Sequence, residues 1–322
     1  RGGGTDNVFL GRYSGSNNTG QTGSFNFGAG YTVLGGSGSG GCNIGLGCAA
    51  GQKVTDGSNN ILLGSIAGKC LTTGDKNIAI GCAALAAATV TGDQNIAIGE
   101  GSSKNITSGS NNIAIGPEAL YTSKGSTYNI AIGSFSGYNV TTGGSGNVFL
   151  GYKAGYAVKT QNQAMAIGYE AMGGTAGTQE GSGIAIGYRA MYEGKDGNSG
   201  TIVGNSAGQY LQGIGATYIG GSAGRFATGS YNTFIGDNAG RGPNSAPYGS
   251  GGYNTAVGYQ ALDAFTTGTQ NVAIGYQAAT DLTTGYYNAI VGGKDVGLSV
   301  KDGYHNVIKA KKVDGVKKLK FQ

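Results

Sequence analysis

The chain has no tryptophan, one histidine, three prolines and four cysteines among its 322 residues. Charge is scarce as well, with 11% of residues Asp, Glu, Lys or Arg. Each shortage excludes something. Low charge with aliphatic clusters at regular intervals is not the composition of a disordered chain, which pairs low hydrophobicity with high charge. The near absence of proline, with glycine off any three-residue period, excludes a collagen triple helix. No run of 18 apolar residues exists, so no membrane-spanning helix is expected. Cys42, Cys48, Cys70 and Cys82 fit no zinc or redox spacing, and buried or free thiols are expected. The lone His305 has no nucleophile beside it, and carboxylates such as Asp302 and Asp314 carry no spacing that defines a glycosidase pair. A repeated Gly-Gly-x-Gly-x-Asp calcium motif and Thr-x-Thr arrays are both missing. No catalytic residue, cofactor or metal is therefore expected, and the protein reads as a non-enzyme.

What the chain has is glycine, 68 residues of it. Inside helices each would cost about 1 kcal/mol, so an α-helical fold is excluded. The formal net charge of +5 is concentrated: residues 301–322 hold seven Lys and two Asp, and the rest of the chain is neutral. A nucleic-acid binder spreads its basic groups along a working face, so nucleic acid is not an expected partner. The chain begins at Arg1, as expected of a processed chain or a fragment.

An internal repeat dominates. The unit Asn-x-x-x-Gly recurs, as in Asn77-Ile78-Ala79-Ile80-Gly81. Reading its closing glycine at 11, 35, 47, 64, 81, 99, 116, 133, 151, 168, 187, 204, 220, 236, 258, 275 and 292 gives 17 copies, most of them 16 to 19 residues apart. Asn306-Val307-Ile308 opens another copy without its glycine. The residue before Gly is Leu, Ile or Val, and the residue three before it is usually Ile or Val. These two share one face of a short strand, because side chains alternate. The residue between them is Ala in eight copies and never charged. Apolar residues on both faces predict a strand covered on both sides. A single coil covers only its inner face, so the middle positions are expected on the axis of a homo-oligomer. They are Phe9, Ala79, Ala97, Ala114, Ala131, Phe149, Ala166, Ala185, Tyr218, Phe234, Ala256 and Ala273. The opening Asn, present in 12 of 17 copies, is expected to stack as a ladder at a turn. The predicted fold is all-β, a parallel β-solenoid or β-roll of about 17 coils. Residues 1–36 form an irregular N-terminal coil or adaptor, 37–300 the repeat shaft, and 301–322 a basic cap. Asp314-Gly315 between short β-prone runs signals a hairpin in that cap, or a contact with an anionic surface.

The pattern Gly-Tyr-Gln-Ala-Leu, Thr-Thr-Gly, Asn-Val-Ala-Ile-Gly over residues 258–275 resembles the repeats of phage and prophage tail fibres that end in an endosialidase-type chaperone. Asn-Ile-Ala-Ile-Gly is also similar to the head repeats of trimeric autotransporter adhesins of the YadA type. The resemblance covers about residues 7–292. It implies a homotrimeric fibre whose partners are its own copies, other fibre or virion proteins, and a host cell-surface glycan or protein receptor. It implies a place on a virion tail fibre, or on a bacterial surface in the adhesin alternative. A glycan-cleaving tailspike is the third option.

Candidate receptor contacts lie where the repeat is broken or decorated. The widest gap after the first coils, Gly236 to Gly258, holds Arg241, Asn244 and Tyr248. Tyr152, Tyr169 and Tyr188 share one repeat position, as do Tyr259 and Tyr276. They are read either as a platform for sugar rings or as a ladder that stabilises neighbouring coils.

Overall fold

A computed structural model describes residues 4–16, 22–36, 38–175, 182–194, 199–294, 296 and 301–309. The chain forms two compact units, Arg1–Gln163 and Ala164–Gln322. The first holds β1 (Val8–Leu10), β2 (Phe27–Ala29), β3 (Ile44–Leu46), β4 (Ile61–Leu63), β5 (Ile78–Ile80), β6 (Ile96–Ile98), β7 (Ile113–Ile115), β8 (Ile130–Ile132) and β9 (Val148–Leu150). The second holds β10 (Met165–Ile167), β11 (Ile184–Ile186), β12 (Thr201–Val203), β13 (Thr217–Ile219), β14 (Thr233–Ile235), β15 (Thr255–Val257), β16 (Val272–Ile274), β17 (Ala289–Val291) and β18 (Val307–Lys309). Among the described residues there is no helix.

Within each unit consecutive strands pair in parallel with equivalent repeat positions opposite one another. Ala79 lies against Ala97 and Ala97 against Ala114 in the first unit. Tyr218 lies against Phe234 and Phe234 against Ala256 in the second. Each unit is thus a parallel β-solenoid with one coil per repeat.

The glycine closing each strand turns the corner. Gly116 has φ +127°, and a Cβ there would lie 2.7 Å from the carbonyl carbon of Gly133 in the next coil. Both the backbone conformation and the close approach require glycine. Two residues on, the chain takes the left-handed conformation again, at Ala83, Glu118 and Lys153 for instance. Such residues cost roughly 1 kcal/mol each, offset by stacking that repeats coil after coil.

Two expectations are corrected here. The second copy closes at Gly30, not Gly35: β2 is Phe27–Ala29 behind Asn26, and Val33 is the buried third residue of the following turn. The Leu-Gly pair at 34–35 imitates the strand ending. With this register β1 and β2 pair with each other, and β2 with β3, so these two strands of the region taken as an irregular coil follow the repeat. β18 likewise pairs with β17 beyond residue 300. The hairpin expected around Asp314 lies outside the described residues.

The second correction concerns the faces. Ala79, Ala97, Ala114, Ala131 and Phe149 in the first unit have no exposed surface in one chain, and nor do Ala166, Ala185, Tyr218, Phe234, Ala256 and Ala273 in the second. Phe9, on the first coil, is half-buried against the same core. The middle positions fill the coil's own interior and present nothing to a second chain. A coil of about 17 residues has a narrow interior, and in eight coils the inward residue is alanine with larger side chains pointing out.

Size complementarity inside the coil follows from this. A large middle residue faces glycine four places after the corner: Phe9 with Gly15, Leu62 with Gly68, Phe149 with Gly155, Tyr218 with Gly224, Phe234 with Gly240. A Cβ on Gly68 would lie 2.6 Å from Leu62 Cδ2. A small middle residue is matched by a large one: Gly28 with Leu34, Ala79 with Leu85, Ala114 with Leu120, Ala166 with Met172, Ala185 with Met191, Ala256 with Leu262. Where both are small, the adjacent coil fills the space. Phe149 approaches Gly137 beneath Ala131, and Leu62 approaches Gly51 beneath Gly45.

Asparagine seals one corner. Asn95 Nδ2 donates to Asn77 Oδ1 of the preceding coil at 3.1 Å and to the Gly109 carbonyl at 2.9 Å. Its own Oδ1 accepts from the backbone N–H and Nδ2 of Asn112 at 3.1 and 3.0 Å. The ladder runs from Asn7 to Asn147 in the first unit and from Asn232 to Asn306 in the second. Ala164, Gly183, Gly200 and Ala216 replace it at the four coils that open the second unit.

Candidate functional site

The outward residues of each strand form two columns. In the first unit these are positions one and three of β1 to β9, all aliphatic except Phe27. They include Ile78, Ile96, Ile113 and Ile130 in one column and Ile80, Ile98, Ile115 and Ile132 in the other. All remain partly or fully exposed; Ile44 keeps 39% of its surface and Ile132 40%. Nine strands at about 4.8 Å make a strip roughly 40 Å long. Isolated exposed aliphatics are ordinary, but a continuous apolar patch on this scale marks an interaction surface. In the second unit the first column turns polar, with Thr201, Thr217, Thr233 and Thr255 in succession, while Val203, Ile219, Ile235 and Val257 keep the second apolar. The sequence reading missed this strip because it assigned these residues to the interior. The larger side chains flanking the middle alanine in eight copies were the available signal.

In both units a tyrosine position follows the corner glycine, with Tyr152 in the first and Tyr169, Tyr188, Tyr259 and Tyr276 in the second. Tyr169 and Tyr188 stack at 5.6 Å, and Tyr259 and Tyr276 at 5.4 Å with planes 12° apart. Tyr152 meets Phe135 edge-on at 6.1 Å, with the Lys153 ammonium 5.4 Å from its ring. All five tyrosines are exposed at their outer parts. The ladder reading accounts for the stacked pairs, since parallel strands bring equivalent rings into register.

The long insertion is bound into the coil. Arg241 Nε lies 3.0 Å from Asp263 Oδ1, and Arg241 Nη2 donates to Asp263 Oδ2 at 3.2 Å. Burial pushes the Asp263 carboxyl up, and the Arg241 guanidinium partly counters it. Tyr248 packs against Tyr210 at 5.3 Å and Phe226 at 5.6 Å. Of the three insertion candidates Asn244 alone is exposed, with Arg241 and Tyr248 half-buried. Arg241 is therefore spent on holding the loop.

A pocket of about 340 Å³ opens on the same side of the second unit, lined among others by Gln260, Asp263, Gln277, Thr280, Asp281 and Lys294. Gln277 Nε2 donates to Gln260 Oε1 at 2.7 Å. The sequence reading named none of these except through their neighbours Tyr259 and Tyr276. A carboxylate and an amide recurring in successive turns, Gln260 with Asp263 and Gln277 with Asp281, could have drawn attention to them.

Other candidates resolve locally. His305 stacks on Tyr287 at 4.9 Å and Asp302 accepts from Thr284 Oγ1 at 2.5 Å, while Asp314 lies outside the described residues. Cys70 is buried and Cys42, Cys48 and Cys82 are exposed, all four as free thiols. Among the described residues no group of three His, Cys, Asp or Glu is placed to hold a metal ion. No family model, no curated protein and no solved structure matches the chain.

Proposed function

We propose that the chain is a non-enzymatic structural segment of a homotrimeric adhesion fibre, most consistent with a tail fibre that attaches a virion to its host cell. The aliphatic strip on the outside of the first unit carries this reading. A β-solenoid offers the same two outward columns on every coil, so a second copy meets them along their whole length. The two columns are unlike, one flanked by the asparagine corner and one by the glycine corner. A head-to-tail contact of one column with the other closes a ring, and the resemblance of the repeats to trimeric fibres sets that ring at three. Attachment rests on the same resemblance and on the exposed tyrosines that follow the corner glycines.

Light scattering on the native chain, with and without denaturant, tests the assembly. Three chain masses that fall to one on unfolding are expected. Two chain masses would replace the ring by a face-to-face dimer, and one chain mass in native buffer would end the fibre reading.

A further inference from the structure

We infer that the tyrosine row Tyr121, Tyr138 and Tyr156 in the first unit is a modification site, where oxidation by a peroxide joins neighbouring rings through a carbon–carbon bond and ties successive coils together. The inference goes beyond the adhesion reading and does not depend on the state of assembly.

The three tyrosines hold one repeat position, five residues after the corner glycines Gly116, Gly133 and Gly151. Hydrogen bonds between coils pin them opposite one another. The Thr122 N–H donates to the Tyr138 carbonyl at 3.1 Å, and Asn139 Nδ2 donates to the Tyr156 carbonyl at 2.8 Å. Tyr121 and Tyr138 stack with ring centres 5.0 Å apart and planes 2° apart. Tyr138 and Tyr156 stack at 5.4 Å and 25°. Tyr138 thus has a tyrosine on each side. The end rings are held in turn by cations, with the Lys104 ammonium 5.6 Å from the Tyr121 ring and the Lys153 ammonium 5.5 Å from the Tyr156 ring. All three tyrosines are half-buried, so their rings meet each other more readily than those of a second chain.

The chemistry suits this setting. The chain has 20 tyrosines and no tryptophan, so tyrosine is the aromatic side chain that yields electrons to an oxidant. Burial and the Glu118 carboxylate raise the Tyr138 phenol above its ordinary value, so it is protonated at neutral pH. Loss of the electron together with the proton leaves a neutral radical, which burial does not penalise as it does a phenolate. Two phenol hydrogens pass to one hydrogen peroxide, which is reduced to two waters. The two radicals couple at ring carbons ortho to oxygen, and each of these carbons passes its hydrogen back to its own oxygen. Both phenols are restored, joined by one new bond. Neighbouring rings fixed in contact convert the coupling into an intramolecular step.

Hydrogen peroxide with a haem peroxidase, applied to the whole chain, provides the test. Trypsin cleavage after Lys104, Lys124 and Lys153 then separates Tyr121, on residues 105–124, from Tyr138, on residues 125–153, and from Tyr156, on residues 154–159. Mass spectrometry should find the first two peptides joined through Tyr121 and Tyr138 with the loss of two hydrogens, and the last two joined through Tyr138 and Tyr156. The yield should be unchanged over about a tenfold dilution of the chain, because the reacting neighbour travels with it. Tyr138→Phe keeps a ring in the stack and should lower both links at least about tenfold. Tyr121→Phe should remove the first link and leave the second. Tyr128→Phe, which alters a ring 66% exposed in the same tryptic peptide as Tyr138, should change neither. Absence of the link between Tyr121 and Tyr138, coupling that runs through Tyr128 instead, or a yield that falls with dilution overturns the proposal. Circular dichroism of each variant is read alongside, so lost coupling is separated from a lost fold.

Discussion

Asn95 serves three coils at once: its amide bonds backward to Asn77, its nitrogen also caps Gly109, and its carbonyl receives Asn112. Asn95→Ala leaves the Gly109 carbonyl and the Asn112 backbone N–H without partners inside the coil, while Asn112 Nδ2 keeps the Ser110 and Ser126 carbonyls. Each enclosed unpaired group costs about 1–3 kcal/mol, so a loss of about 2–4 kcal/mol is expected in urea unfolding. Asn95→Asp supplies the same acceptor but no Nδ2 donor, and should rescue part of the loss. A second residue responds to pH. Burial pushes the Tyr218 phenol well above its ordinary value near 10. In the unfolded chain that phenol ionises from about pH 10 upward. The stability present below that pH is therefore lost as pH rises toward the folded-state value, at up to about 1.4 kcal/mol per pH unit. Tyr218→Phe should flatten the alkaline decline, seen as a smaller drop in the urea midpoint between about pH 9 and about pH 11.5. The Asn232 side chain opposes part of that rise, so the same variant should cost at most about 1 kcal/mol at neutral pH. Equal alkaline slopes for the two proteins would contradict this.

A single coil shows how its two halves share one space. Leu85 enters the interior over Ala79, while in the preceding coil Leu62 enters over Gly68. Exchanging the pair, Ala79→Leu with Leu85→Gly, rebuilds the arrangement of that coil. Leu85→Gly alone should cost about 2–5 kcal/mol as a cavity, and Ala79→Leu alone about 1–3 kcal/mol by overpacking. The double variant should recover at least about 1 kcal/mol of the sum in a double-mutant cycle, and additive losses would refute the shared space. This pairing was legible in the sequence and went unread. Strand positions, corner glycines and the asparagine ladder could be read because they obey local rules: alternation, positive φ, a short polar side chain at a turn. Phe149 against Gly155, or Leu120 against Ala114, needs the coil's diameter before its meaning is visible. The same missing dimension reversed the faces. Alternation separates Ala97 from Ile96 and Ile98 but does not say which side is inside. The misplaced copy at Gly35 has a similar cause, since Val33-Leu34-Gly35 satisfies the strand pattern and only the pairing of Phe27 with Ile44 excludes it.

For the molecule as a whole the reversal matters more than the fold itself. If the alanines had faced a partner, assembly would rest on small, shallow contacts. Instead the isoleucine columns are outside, and their removal from water is worth roughly 25 cal/mol per Å². Ile113→Asp with Ile115→Asp places two charges in the middle of the first unit's strip and touches nothing in the coil interior. Dissociation to single chains is expected by sedimentation, with circular dichroism at low temperature unchanged. Thr217→Asp, in the polar column of the second unit, should shift the equilibrium less. Retention of the assembly by the double variant would move the contact to another surface. The candidate contact surface was legible only in part: tyrosines sharing one repeat position could be picked out, but the aliphatic strip depends on which strand face is inside. The asparagine ladder has a further consequence. Along it each asparagine side-chain oxygen accepts from the backbone N–H of the asparagine in the coil that follows. The ladder is a vector, with acceptors waiting at its leading end, and that end is the one the ribosome has yet to supply. Each coil, as it emerges, finds its docking oxygen already fixed on the coil made before it, so synthesis and templating run in the same direction.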